Sequence, residues 1–288
     1  MQTVGQDGEH SRPSITGVIV ARNEADKVMH ALASVRPILD ELLFCDMESS
    51  DATAAIAASF GATVIPVALA TGQEPVRPAA VAKASGEWVL MFDADEVIEP
   101  RLRETLLRIA RQDEADVVSL PRFNYLFGKP MYGALMGAND DRQIRFFKKG
   151  AVEVTAALHV QPVVQPGARL KELTFQHDGA IIHFNYVDID NYLTKFIRYT
   201  YMESRKPSAA AKYKLFPTIL KMGWEFVNRY LRKGGYRDGW RGFYIAASMS
   251  FYRLTIWARV CEMEDVGTRE QIQSIYSREA ARSVRENH

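Results

Sequence analysis

The chain has 288 residues, 47% of them hydrophobic and 25% charged, with a formal net charge of +1. That composition excludes disorder of the whole chain and provides for a sizeable core, in one large domain or one domain with an extension. The near-zero net charge excludes any argument for nucleic acid from bulk charge, so only local clusters carry information about partners.

Residues 1–14 are polar, lack the apolar run of a signal peptide and read as a loose, disordered tail. Ile15 to Val20 reads as a strand, and after the polar turn Ala21-Arg22-Asn23-Glu24 comes a helix with Val28, Leu32 and Val35 on one face, closed by Pro37. Glu41 to Cys45 is a second strand, ending on Asp46. Asp51 is placed to cap the alanine-rich helix that runs to Phe60, and Gly61 stops it. Ala62 to Val67 makes a third strand, and a loop with Gly72, Pro75 and Pro78 leads through a short helix to Trp88-Val89-Leu90-Met91-Phe92. Strands alternating with helices predict an α/β layer around a parallel sheet. Ligands of such sheets sit beyond the carboxyl ends of the strands, where Asn23, Glu24, Asp46, Asp93 and Asp95 all fall.

The run Trp88–Phe92 has the bulk of a strand buried on both faces, and it stops at Asp93-Ala94-Asp95-Glu96. If the backbone stays extended, Asp93 and Asp95 point to the same side, and two carboxylates that close repel unless a cation lies beside them. Oxygen ligands on an open site suit Mg2+ or Mn2+ carrying a phosphate. The alternative is that these acids cap the helix opened by Pro100, which carries Leu102, Leu106 and Ile109 on one face. No G-x-G-x-x-G follows the first strand and no G-x-x-x-x-G-K-[ST] occurs, which argues against a dehydrogenase or a P-loop enzyme.

Beyond Asp116 the pattern is mixed. Val117–Leu120 reads as a strand, the loop Gly128–Gly137 precedes a strand over Arg142–Phe147, and Lys148-Lys149-Gly150 predicts a hairpin into Ala151–Thr155. Gln143 and Arg145 share a face with Asp141 if that strand is regular, which suits contacts to hydroxyls or phosphate. Ala180 to Phe184 closes this region; His177 and His183 lack metal spacing and read as structural. Residues 15–187 thus form the α/β domain, and 188–288 a helical extension.

In the extension, Lys212 to Arg241 carries eight Lys or Arg against two acids, Glu225 and Asp238, among Phe216, Trp224, Phe226, Tyr230 and Trp240. Basic and aromatic residues on amphipathic helices describe either a segment lying on an anionic membrane surface or a packed helix pair with a solvated basic face. No nucleic-acid module accompanies the charge. No apolar stretch approaches the ~20 residues that span a bilayer. Cys45 lies in an apolar strand far from Cys261, the pattern of free thiols in a reducing cytoplasm.

With these residues in place the chain resembles glycosyltransferase family 2, and within it small bacterial enzymes that build lipopolysaccharide core and related envelope glycans. Three motifs carry the likeness in order: Asn23-Glu24 after the first strand, Cys45-Asp46-Met47-Glu48-Ser49-Ser50-Asp51-Ala52-Thr53, and Ala84 to Glu96. Asp140 to Phe146 and Gly235 to Gly242 extend it, while Leu158-His159-Val160 stands where V-H-E is common. The resemblance implies a GT-A fold and an inverting transferase that moves a hexose from a nucleotide-diphosphate sugar, the UDP form, to an envelope glycan or lipid-linked acceptor. It would work with Mg2+ or Mn2+ at the inner face of the cell membrane. It also implies roles: Asp46 binds the base, Asn23 and Glu24 line the nucleoside pocket, and Asp93 reaches the ribose or metal. Asp95 ligates the metal and Arg77 meets a phosphate. Asp141 is then the general base, with Asp140 its rival, and His159 orients acceptor or diphosphate. Asn23, Glu24, Asp46, Asp140 and Asp141 have a capping role as their alternative. A nucleotidyltransferase, or an envelope-assembly protein that binds a sugar nucleotide without turnover, are the competing functions.

Overall fold

The computed structural model describes residues 13–157 and 160–285, so most of the expected tail, as well as His159, lies outside the described residues. The chain divides into two compact units: residues 1–125 with 136–185, and residues 126–135 with 186–288.

In the first unit, β1 (Ile15–Ala21), β2 (Glu41–Asp46), β3 (Thr63–Pro66) and β4 (Trp88–Met91) pair in parallel in the order β3-β2-β1-β4. Period-two alternation divides their side chains between two faces. Ile15, Ile19, Phe44, Trp88 and Leu90 pack under α1 (Val28–Val35) and α4 (Pro100–Gln112). Val18, Val20, Leu43, Cys45, Val89 and Met91 pack on the opposite face with Ala80 of α3 (Arg77–Ala82). All of these residues are buried, which is why the strands read as continuous apolar runs rather than as alternating ones. Leu102, Leu106 and Ile109 face the core from α4 as their spacing predicts. Helix α2 (Thr53–Ser59) begins one residue later than expected: Ala52 is its N-cap, and the Asp51 carboxylate accepts the Thr53 N–H at 2.9 Å.

Antiparallel pairing continues the sheet. β8 (Arg142–Lys148) lies between β4 and β6 (Val117–Leu126), and β12 (Ile181–Tyr186) pairs with the short β5 (Glu96–Ile98). The mixed, mainly parallel sheet with helices on its faces is the architecture expected of the GT-A fold. One expectation is corrected here. Residues 151–155 do not form a hairpin with β8, because β4 and β6 already occupy both of its edges; β9 (Val152–Glu153) instead pairs with β10 (Val163–Val164) in a separate two-stranded sheet. Trp88 stacks on Phe146 with ring centroids 4.4 Å apart, and this contact locks β4 to β8.

The second unit is helical: α6 (Ile189–Ser204), capped by the Asp188 carboxylate on the Asn191 N–H, then α7 (Ala209–Lys212), α8 (Leu215–Val227), α9 (Gly239–Asp265) and α10 (Arg269–Arg285). A π-helical turn, Asn228–Arg232, extends α8, and a 3-10 turn, Gly235–Asp238, leads into α9. The motif Gly235 to Gly242 has a structural explanation in this unit. Asp238 accepts the backbone N–H groups of Tyr132 (2.9 Å) and Gly133 (2.8 Å), and a Cβ on Gly242 would lie 1.8 Å from the Gly235 carbonyl oxygen. Backbone cannot swing aside as a side chain can. Gly242→Ala is therefore expected to lower unfolding free energy by about 1–3 kcal/mol, visible as a fall in Tm in thermal unfolding.

Candidate active site

The parallel registers bring the site together. Ala21 at the end of β1 lies beside Asp46 at the end of β2, and Val18 lies beside Met91 at the end of β4. The residues that follow these ends, Asn23-Glu24 and Asp93 to Asp95, therefore share one edge of the sheet with Asp46.

Asn23 sits in the left-handed region (φ 53°), where its short amide side chain is tolerated. Its N–H donates to Ser49 Oγ at 3.1 Å, and its Oδ1 accepts the Ser50 N–H at 2.8 Å. The Glu24 N–H donates to Thr53 Oγ1 at 2.8 Å, while its carboxylate pairs with Lys27 at 2.8 Å. Both residues stitch the loop after β1 to the loop after β2, and that loop carries Asp46. The Asp46 Oδ2 accepts the Ser49 N–H at 3.2 Å. Its Oδ1 is buried without a hydrogen-bond partner. A buried acceptor left unpaired costs about 1–3 kcal/mol, so a ligand N–H delivered here would recover that cost.

The geometry after β4 corrects the sequence expectation for Asp93. The strand ends at Met91 and Asp93 to Glu96 form a turn, with the Glu96 N–H on the Asp93 carbonyl at 3.1 Å, so alternation along an extended backbone does not apply. Nor is Asp93 a bare carboxylate. Its Oδ1 accepts from Arg77 at 2.5 Å and its Oδ2 from Arg145 at 2.6 Å. Burial works against ionisation of Asp93, but the Arg145 charge and then the Arg77 charge outweigh it and hold the carboxyl well below the usual carboxylate range. Both oxygens carry an arginine, which leaves Asp93 poorly placed as a metal ligand. Arg145 is itself buried (5% exposed), with Glu96 as its other acid at 3.5 Å, so its guanidinium is engaged by two acids of the protein. Arg77 also bonds Gln73 at 2.9 Å.

A second chain of contacts joins Asp95 to Asp141. The amide nitrogen of Asn124 donates to Asp141 Oδ2 at 2.8 Å and to the Met136 carbonyl at 2.9 Å, so its oxygen faces His183 Nδ1 at 2.7 Å. Nδ1 then carries a proton, and Nε2 faces Asp95 Oδ2, 3.6 Å away. A carboxylate oxygen with an oriented imidazole is a donor pair for a divalent ion, and with a proton on Nε2 the same two atoms form an ion pair. Among the described residues no three His, Cys, Asp or Glu side chains converge on one point. The pair suits an ion whose other positions are filled by phosphate oxygens and water.

Asp141 is the most heavily bonded acid of the site. Oδ1 accepts from Arg122 at 3.2 Å and Gln143 at 2.9 Å; Oδ2 accepts from Arg122 at 2.9 Å and Asn124 at 2.8 Å. Four donors occupy the roughly four lone-pair positions of a carboxylate, leaving none for an incoming hydroxyl. Burial raises its pKa, and the Arg122 charge followed by the Asn124 and Gln143 bonds overcomes this and lowers it. Asp140, one residue earlier, is exposed in the turn that starts at Gly137. Gln143 accepts from Gln161 at 2.8 Å. His183, Asn124, Arg122 and Glu96 were not legible as site residues in the sequence, since each partner lies on another strand. The one signal was a histidine and an asparagine at otherwise apolar strand positions, both buried.

The geometry of Asp141 sets a pH dependence. Its folded-state pKa is depressed below the ordinary 3.8, so its stabilisation is present above about pH 3.8 and is lost as pH falls below that value. Asp141→Asn should flatten this acid limb in urea titrations. It should also cost about 3 kcal/mol at pH 7, because Arg122 is left with Glu96 at 3.4 Å as its acid partner.

Comparison with known proteins gives the following. Residues 16–159, half of the chain, match the family described as glycosyl transferase family 2. An uncharacterised glycosyltransferase of Rickettsia felis is 24% identical over 86% of this chain and 89% of its own. The lipopolysaccharide core biosynthesis glycosyltransferase LpsC of Rhizobium meliloti is 23% identical over 82% and 88%. Among solved structures, glucosyl-3-phosphoglycerate synthase of Mycobacterium tuberculosis is 24% identical with a TM-score of 0.34, covering 39% of this chain and 44% of that one.

Proposed function

The chain belongs to glycosyl transferase family 2 and is a glycosyltransferase, and from that premise we propose that it moves a hexose from a UDP-sugar, with inversion, to an envelope glycan or lipid-linked acceptor. The observation that carries the reading is the Asp95–His183 pair, a carboxylate oxygen and an imidazole nitrogen 3.6 Å apart, together with the unpartnered oxygen of Asp46. A relative named for lipopolysaccharide core biosynthesis supports the acceptor class. Such an acceptor is met at the inner face of the cell membrane.

In this reading Asp46 Oδ1 accepts the N3–H of the uracil, an N–H where the protein supplies none. Asn23 and Glu24 hold the loop that presents it. Asp93, kept anionic by Arg77 and Arg145, accepts from the ribose through lone pairs the arginines leave open, and Arg77 turns its remaining N–H groups to the diphosphate. Asp95 and His183 would hold the divalent ion. Its nitrogen donor favours Mn2+ over Mg2+. When bound, the ion offsets the charge that gathers on the departing nucleoside diphosphate.

Inversion needs a base on the acceptor side to take the hydroxyl proton as that oxygen attacks. Asp140 takes it, because the oxygens of Asp141 are committed to four donors. Asp141 then acts as a positioning residue: it fixes Asn124, which fixes the His183 tautomer. Gln143, bonded to Asp141 at 2.9 Å, serves the acceptor side. His159, outside the described residues, orients acceptor or diphosphate in this reading.

Two experiments test this. Asp95→Ala should lower UDP release from UDP-hexoses by roughly a hundredfold or more, and His183→Ala should raise the Mn2+ concentration for half-maximal activity by about 10–100-fold. Wild-type Mn2+ titrations in both variants would remove the metal assignment. Asp140→Asn should reduce kcat by roughly 10²–10⁴-fold with little change in donor KM. A folded Asp141→Asn protein that loses kcat while Asp140→Asn keeps it would return the base role to Asp141.

A further inference from the structure

Helix α8 is built inside out for a helix in water. Its inward side carries Thr218, which is buried, and Glu225, whose carboxylate is bonded by Arg229 at 2.7 Å and by Arg253 of α9 at 2.9 Å. Its outward side carries Phe216 (71% exposed), Leu220 (59%) and Trp224 (53%), flanked by Ile219, Val227 and Leu231, all exposed as well. The steps 216, 219, 220, 223, 224 and 227 follow the three- and four-residue spacing that keeps side chains on one face. Surface helices of soluble proteins turn such a stripe to the core and their charges to solvent. Here the charged side is satisfied by protein and the apolar side is left outside.

The charges around the stripe choose among occupants. Both acids of the segment are consumed internally, Glu225 by two arginines and Asp238 by two backbone N–H groups. The exposed charges are Lys212, Lys214, Lys221, Arg232, Lys233 and Arg237, all basic. Of these, Lys212 also pairs with Glu203, and Arg232 lies over the Trp224 ring at 4.9 Å. A second copy would bring the same positive rim against this one. An anionic lipid surface complements both features, taking apolar side chains into the acyl boundary and lysines at the headgroups. α8 has 13 residues, too few to cross a bilayer, and none of the described helices is long and apolar enough to do so.

We propose that the outward face of α8, centred on Phe216, Leu220 and Trp224, inserts into the headgroup region of an anionic membrane and lies parallel to its plane. This deepens the membrane-side acceptor proposed above, but it rests on residues separate from the active site. The test is co-sedimentation of the full chain with phosphatidylcholine vesicles and with vesicles containing phosphatidylglycerol. Binding should appear with phosphatidylglycerol, weaken with added salt, and fall roughly tenfold or more in Phe216→Glu/Leu220→Glu. Lys214→Glu/Lys221→Glu should weaken it on anionic vesicles. Brominated lipid should quench wild-type tryptophan fluorescence, and Trp224→Phe should remove most of that quenching, a readout that survives if the double glutamate variant fails to fold. No pelleting with anionic vesicles, or pelleting unchanged in these variants, overturns the proposal. So does a dimer in sedimentation that Phe216→Glu/Leu220→Glu splits, since the face would then be an interface between copies. The UDP-hexose thermal shift should be unchanged in every α8 variant, and its absence from the wild type would count against the donor assignment alone.

Discussion

The candidate site depends on buried positive charge. Arg145, among the most buried charged residues of the first unit, is tolerable there because Asp93 and Glu96 lie within 2.6 and 3.5 Å, and Arg122 continues the series from Glu96 to Asp141. Burying one of these ions alone would cost several kcal/mol, and burying them in alternation replaces lost hydration with opposite charge. The series also fixes geometry. It ties the turn after β4, the strand β8 and the middle of β6 into one set, so these acids and arginines cannot shift independently.

The Asp93-Ala94-Asp95 sequence thereby acquires two unlike halves. Asp93 is an internal anion held by guanidinium groups, whereas Asp95 faces an imidazole whose tautomer is set from behind by Asn124. Two acids in the same tripeptide have separate duties because their neighbours come from different strands. Environment, more than residue type, decides which of a pair of acids meets a cation.

The helical unit applies the opposite logic to its charges. Glu225 and Asp238 are drawn inward, the first to bind α8 to α9 and the second to hold the loop at Tyr132 and Gly133, so the outer surface of the segment is left basic and apolar. A motif that looks like a functional signature, Gly235 to Gly242, is accounted for by close backbone approach and by this cap.

The parallel half of the sheet, the burial of Cys45, the core face of α4 and the gathering of Asn23, Asp46 and Asp93 at one sheet edge were all legible in the sequence. They follow from local pattern: apolar runs of strand length, helical spacing, and polar residues at the point where each run stops. What followed β4 was not legible. Which arginine would meet Asp93, that His183 would face Asp95, that Asp141 would be saturated, and that β9 would abandon β8 for β10 all depend on antiparallel strands brought together from distant parts of the chain. Such pairings leave no periodicity in a linear sequence. They are decided by which strand edges remain open and which buried charges must find a counter-ion once the sheet has closed.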